Sequence, residues 1–196
     1  VVSFANLALA GFVLSAVAVR FAFPAVSLEG RALWILQSAP VSLRALVWSK
    51  FWLVFVPLLF LGELLIFLSN LLLHVPPWMM VISLLTVFSM TFGITAIGIG
   101  LGALYPNFNY ENAAEIPTSF GGAIAMILSV AFIAVAVTIE AWPVYHLSIA
   151  ALRYARAAAP PASVLAPAMI AVAVLTAAVV VISLRIGIKR LEQLRD

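Results

Sequence analysis

The carboxylates of this 196-residue chain are few, and two of them stand where an apolar sequence has little use for charge. Glu63 lies in the middle of the apolar run 51–73, and Asn70 follows seven residues later, on the same face of a helix. A carboxylate at the centre of a bilayer costs at least ~2.5–3.5 kcal/mol, so Glu63 must face protein or water. Two readings follow: a protonated Glu63 hydrogen-bonded between helices, or a polar point, shared with Asn70, on a transport pathway. Glu140 stands beside Trp142 near the end of another apolar run. It is expected to reach interfacial water and to pair with Arg153 or Arg156, which fall three residues apart. Glu111 and Glu115, four apart, read as a solvated acidic loop or a docking contact. Gly98, Gly100 and Gly102 mimic part of a dinucleotide fingerprint, but they follow no strand. Gly98-x-x-x-Gly102 reads instead as a face for close helix packing, with Gly93 and Gly11 in similar roles.

Enzyme-type constellations are missing. His74 and His146 belong to no H-E-x-x-H pattern, there is no cysteine, and no Ser–Lys or Asp–Asp pair lies within the apolar runs. No catalytic, cofactor-binding or metal-binding residue is therefore assigned.

The elements that must position these residues are membrane spans. Hydrophobic residues make up 66% of the chain and charged residues 9%, against ~25% charged in an ordinary soluble domain. The apolar runs cover about 1–22, 51–73, 78–104, 120–142 and 163–186, each reaching the ~20 residues that cross ~30 Å of hydrocarbon. The short alternating strands of a β-barrel are absent. The fold expected is all-α, a single polytopic transmembrane bundle of about five helices over residues 1–196. Eight of the ten basic residues, among them Arg20, Arg44, Lys50, Arg185 and Lys189, fall on one side of this topology. The positive-inside rule makes that side cytoplasmic and predicts a multi-pass protein of the cell (inner) membrane with a cytoplasmic C-terminus. The basic tail has no nucleic-acid signature beyond its charge. Val1 opens inside an apolar run, which suggests a fragment of a longer protein.

The segment 27–50, SLEGRALWILQSAPVSLRALVWSK, is too long for a tight turn and too charged to cross a membrane. Leu28, Ala32, Ile35, Leu36 and Ala39 recur at helical spacing, which predicts an amphipathic helix along the cytoplasmic face, broken at Pro40. Ser42 is placed to cap a second short helix, 43–48, that leads into the next span. The segment is either an interfacial connector or a docking element for a cytoplasmic partner.

Glu29-x-Arg31, followed by Leu36, Pro40 and Lys50 before an apolar span, resembles the coupling-helix region of ABC-2 type transporter permeases. The loop GLGALYPNFNYENAAEIPTSFGG and the order of spans are similar to that class too, if one span precedes Val1. The resemblance implies a membrane-spanning permease of an ATP-driven exporter. It implies an ATPase-coupling role for Glu29, Arg31, Leu36, Pro40 and Lys50. It also implies a separate ATP-binding subunit that carries ATP and Mg and does the hydrolysis, so that this chain is not itself an enzyme, and a homodimer or a second permease half as further partner. The absence of a G-x-x-x-x-G-K-[ST] loop agrees with that division. The alternatives are a gradient-driven secondary transporter, for which Glu63 is the one supporting residue, and a structural membrane subunit.

Overall fold

The structure, a computed structural model, describes residues 2–29, 42–106, 113–153 and 162–193. Every regular element among them is helical, as expected. Helix α1 spans Val2–Phe21, the single turn α2 spans Pro24–Ser27, α3 spans Leu43–Leu72 and α4 spans Pro77–Leu104. A 3₁₀ turn over Ala113–Thr118 precedes α5, Phe120–Arg153, and α6 spans Ala162–Gln193. Five stretches are long and apolar enough to cross a membrane: Ser3–Ser27, Leu43–Leu72, Pro77–Leu104, Phe120–Tyr145 and Leu165–Gln193.

Helices α3 and α5 run longer than their apolar stretches suggest. Ser42, extended at φ −74° and ψ 136°, accepts a hydrogen bond from the Ala45 amide and caps α3. The short helix expected over 43–48 is simply the first part of α3, because nothing between Trp48 and Phe51 breaks the backbone ladder. Likewise α5 continues through Pro143 to Arg153. A proline removes one amide from the ladder, a loss a long packed helix tolerates. The predicted surface helix with Arg31, Leu36 and Pro40 lies outside the described residues, as do Glu111 and Arg156.

The turn between α3 and α4 is short. His74 takes a left-handed conformation at φ 50°, and Pro76 and Pro77 start α4, with a proline at the helical position that needs no amide donor. Helix α4 is the axis of the bundle: it touches α1, α2, α3, α5 and α6. Its glycines set how closely those neighbours approach. A Cβ at Gly98 would lie 2.6 Å from the Ala22 Cβ, and one at Gly102 would run into the Phe23 carbonyl oxygen. At Gly100, a residue whose packing role the spacing left unassigned, it would strike the Ser183 backbone of α6. The α3–α4 seam is aromatic instead. Phe51, Phe55, Phe88 and Phe92 stack or meet edge to face, with Phe51 and Phe92 ring centres 4.9 Å apart.

The bundle has two chemically different ends. At one, Arg44 of α3 reaches Glu192 of α6 at 3.6 Å, and Arg20, Lys50, Arg185, Lys189 and Arg190 lie towards the same end of their helices. We call it the basic end. The other, where α3 turns into α4 at His74, is the turn end.

Candidate functional site: a buried polar cluster at the turn end

Near the turn end, α1, α3, α4 and α5 bring uncharged polar side chains and one acid into an apolar interior. Asn6 of α1 joins two neighbours on α3. Its amide donates to the Asn70 carbonyl oxygen at 3.3 Å, and its own carbonyl oxygen accepts from the Ser69 hydroxyl at 2.7 Å. Asn70 is fully buried, and its amide nitrogen has no partner. Its polar side chain therefore pins α1 to α3, the role polar groups take between helices surrounded by lipid.

The second part of the cluster joins α4 to α5. Thr86 lies nine residues into α4, about 13 Å along its axis. Its hydroxyl is 2.6 Å from Glu140 Oε2 and 2.8 Å from the Ile82 carbonyl oxygen. A threonine has one hydroxyl hydrogen and cannot donate to both acceptors. The Ile82 carbonyl already accepts the Thr86 backbone amide within the helix, so the hydroxyl hydrogen is available to Glu140 Oε2. Glu140 is 2% exposed, and its Oε1 has no partner. This corrects the expected position of Glu140 in interfacial water, while Arg156 and the side chain of Arg153 lie outside the described residues. Helix α5 turns residue 140 towards α4, and the side chain that meets it there is Thr86. Ser83, one turn before Thr86, is also buried and returns its hydroxyl to the Met79 carbonyl at 2.8 Å.

Glu63 and Asn70 part company. Glu63 is half-buried and makes no hydrogen bond or ion pair among the described residues, whereas Asn70 is enclosed. A seven-residue step drifts by about 20° around a straight helix, and in α3 that step runs from the rim of the packed face to its centre. Lys50 and Glu29 form an ion pair between α3 and the end of α2. Glu115 is exposed at the 3₁₀ turn, whose anchor is the buried Ile116. No group of three or more His, Cys, Asp or Glu able to hold a metal occurs among the described residues.

The polar residues that sequence reasoning missed are Asn6, Ser69 and Thr86. Each is a single small polar residue in an apolar run, and nothing in its spacing sets it apart from the other buried serines and threonines of the spans.

Together the fold and this cluster define a polytopic helical bundle of membrane type with a polar interior at one end. The chain belongs to a family described as “Putative ATP-binding cassette”, which matches residues 1–195. No curated protein and no solved structure matches it. The family overturns the resemblance to ABC-2 type permeases, since its description places ATP binding in this family. The expectations that the chain acts as a permease beside a separate ATPase, and that it has no enzymatic part, are corrected by the same finding. Neither the gradient-driven nor the purely structural alternative fits better. The physical reason for the error is that helix count and loop spacing are shared by many bundles. Glu29-x-Arg31, Leu36, Pro40 and Lys50 form a pattern too loose to separate one transporter family from another.

Proposed function

We propose that this chain is a membrane-embedded member of an ATP-driven transport system of the ATP-binding-cassette class, with its basic end facing the cytoplasm. The observation that carries the reading is a coincidence of extent. The family match over 1–195 covers the same residues as the five lipid-length helices, so the membrane-type bundle is itself the matched region. The crowding of Arg and Lys at one end supports the orientation.

Within this reading, the cluster of Asn6, Ser69, Asn70, Thr86 and Glu140 takes part in the conformational cycle that ATP drives. Two of its buried polar atoms, Asn70 Nδ2 and Glu140 Oε1, lack partners among the described residues, as do the Thr95 and Thr176 hydroxyls elsewhere in the bundle. Such groups are costly to bury and are commonly kept for a function. The test is vanadate-sensitive ATP hydrolysis by the native protein reconstituted in proteoliposomes, with everything that co-purifies. Hydrolysis above that of empty vesicles is expected. Asn70→Leu should change its rate, and the exposed control Leu72→Ala should not. Folded protein that gives no hydrolysis overturns the ATP-driven reading. Equal rates for Asn70→Leu and wild type remove the cluster from the ATP-driven cycle.

A further inference from the structure

An apolar groove runs along the outside of the bundle between α1 and α3, at the opposite end from the polar cluster. It holds about 550 Å3, and Val17 and Phe21 form one wall and Leu53, Pro57 and Leu61 the other. Its mouth is closed by Glu29 and Lys50, the ion pair between α2 and α3. The pair is not sealed off, since the side chains remain 29% and 19% exposed.

We propose that this groove binds one acyl chain of a phospholipid whose head carries both a phosphodiester and a primary ammonium, as in phosphatidylethanolamine. The inference rests on the five helices lying in a bilayer and not on ATP use.

The depth of the site fits such a lipid. Lys50 is the last charged residue before the apolar run of α3, and exposed Trp48 and Trp52 flank it, as aromatic residues do at a membrane interface. The ion pair therefore stands at headgroup level, and the groove descends from it alongside the acyl chains. The charge pattern selects the head. Lys50 has three N–H donors and uses one on Glu29 Oε1, which leaves donors for a phosphate oxygen. Glu29 Oε2 is left to accept from an ammonium. A zwitterionic head laid antiparallel over the pair satisfies both groups. An anionic head such as phosphatidylglycerol can reach Lys50 with its phosphate but has no ammonium to donate to Glu29. Phosphatidylcholine matches in charge, but its quaternary ammonium has no N–H to donate to Glu29.

The experiment is native mass spectrometry of the intact protein released from nanodiscs. The discs contain equal parts of phosphatidylethanolamine, phosphatidylglycerol and phosphatidylcholine with identical oleoyl chains. Wild type should retain phosphatidylethanolamine about tenfold over the other two, the scale of one or two hydrogen bonds to charged groups. Glu29→Gln should lose that preference yet still retain lipid. Leu61→Trp, which fills the groove from a partly exposed position, should lose the retained lipid. Leu53→Trp, on the same wall and more exposed, serves if Leu61→Trp does not fold. Equal retention of the three lipids by wild type overturns the proposal. So does a preference for phosphatidylethanolamine that survives both Glu29→Gln and filling of the groove.

Discussion

Helices α1 and α4 form the inside of the bundle, and α3 and α6 its outside. In the most apolar stretch of α1 and of α4, 61% of residues are buried, against 28% for α3 and 17% for α6. Yet α3 and α6 are the more hydrophobic by composition, with mean hydropathy 2.5 and 2.7 against 1.9 and 2.0. In water the order would be reversed, because the most apolar helix would be the most buried. Here the inner helices carry the small and polar residues, Gly98, Gly100, Gly102, Ser83 and Thr86, and the outer ones carry the Leu, Phe and Val that meet lipid. Without a hydrophobic drive between helices, close approach and interhelical hydrogen bonds hold the bundle together.

Substitutions can break or sharpen that contrast. The largest effect is expected at Gly102 of α4. Gly102→Leu would push four carbons into the Phe23 carbonyl, and no folded protein should be recovered in detergent extracts. Gly102→Ala should cost about 1–3 kcal/mol in thermal unfolding. Ile182→Ala on the exposed face of α6 should leave the melting temperature unchanged; a comparable loss there would undo the inside–outside distinction.

Next comes Thr86. Thr86→Val removes the group that meets Glu140 and should cost about 1–3 kcal/mol, because a buried carboxyl is left with no partner. Glu140→Gln should be close to neutral, since its amide oxygen can accept from Thr86 as the carboxyl oxygen does. A large loss for Glu140→Gln together with a neutral Thr86→Val would show that the Thr86 hydroxyl is not what holds residue 140.

Asn6→Ala cuts the link between α1 and α3, and about 0.6–1.7 kcal/mol should be lost, from the average to the largest value found for hydrogen bonds between membrane helices. The smallest effect belongs to Arg44→Ala. Its ion pair with Glu192 is mostly exposed, and the change should stay below about 0.5 kcal/mol at moderate salt.

The helical class and the five spans were legible in the sequence because runs of some twenty apolar residues admit few other structures. The ends of α3 and α5 were less so. The sequence from Ser42 to Lys50 is polar enough to suggest a separate helix, and a proline at 143 suggests a break, but backbone continuity depends on the ladder and not on polarity. The site was legible only in part. Asn70 stood out as an amide in an apolar run, whereas its partners Asn6 and Ser69 lie more than sixty residues away in the chain. Glu140 stood out too, but the neighbour that determines its surroundings, Thr86, is set by how α4 and α5 rotate against each other. The spacing in 27–50 pointed to the ABC transporter class, but ATP binding in this family was not legible, since the 196 residues contain no phosphate-cradling loop.

Helix α3 begins about eight residues before its apolar run, so some 12 Å of continuous helix extends beyond that run. That projection is a lever arm. A sideways push at Leu43 becomes a torque on the whole helix, and Pro57, where one rung of the backbone ladder is missing, is the natural fulcrum. Beyond it, the far arm ends at Ser69 and Asn70. Force applied at the basic end would thus be delivered, with its direction reversed, to the hydrogen bonds that hold Asn6.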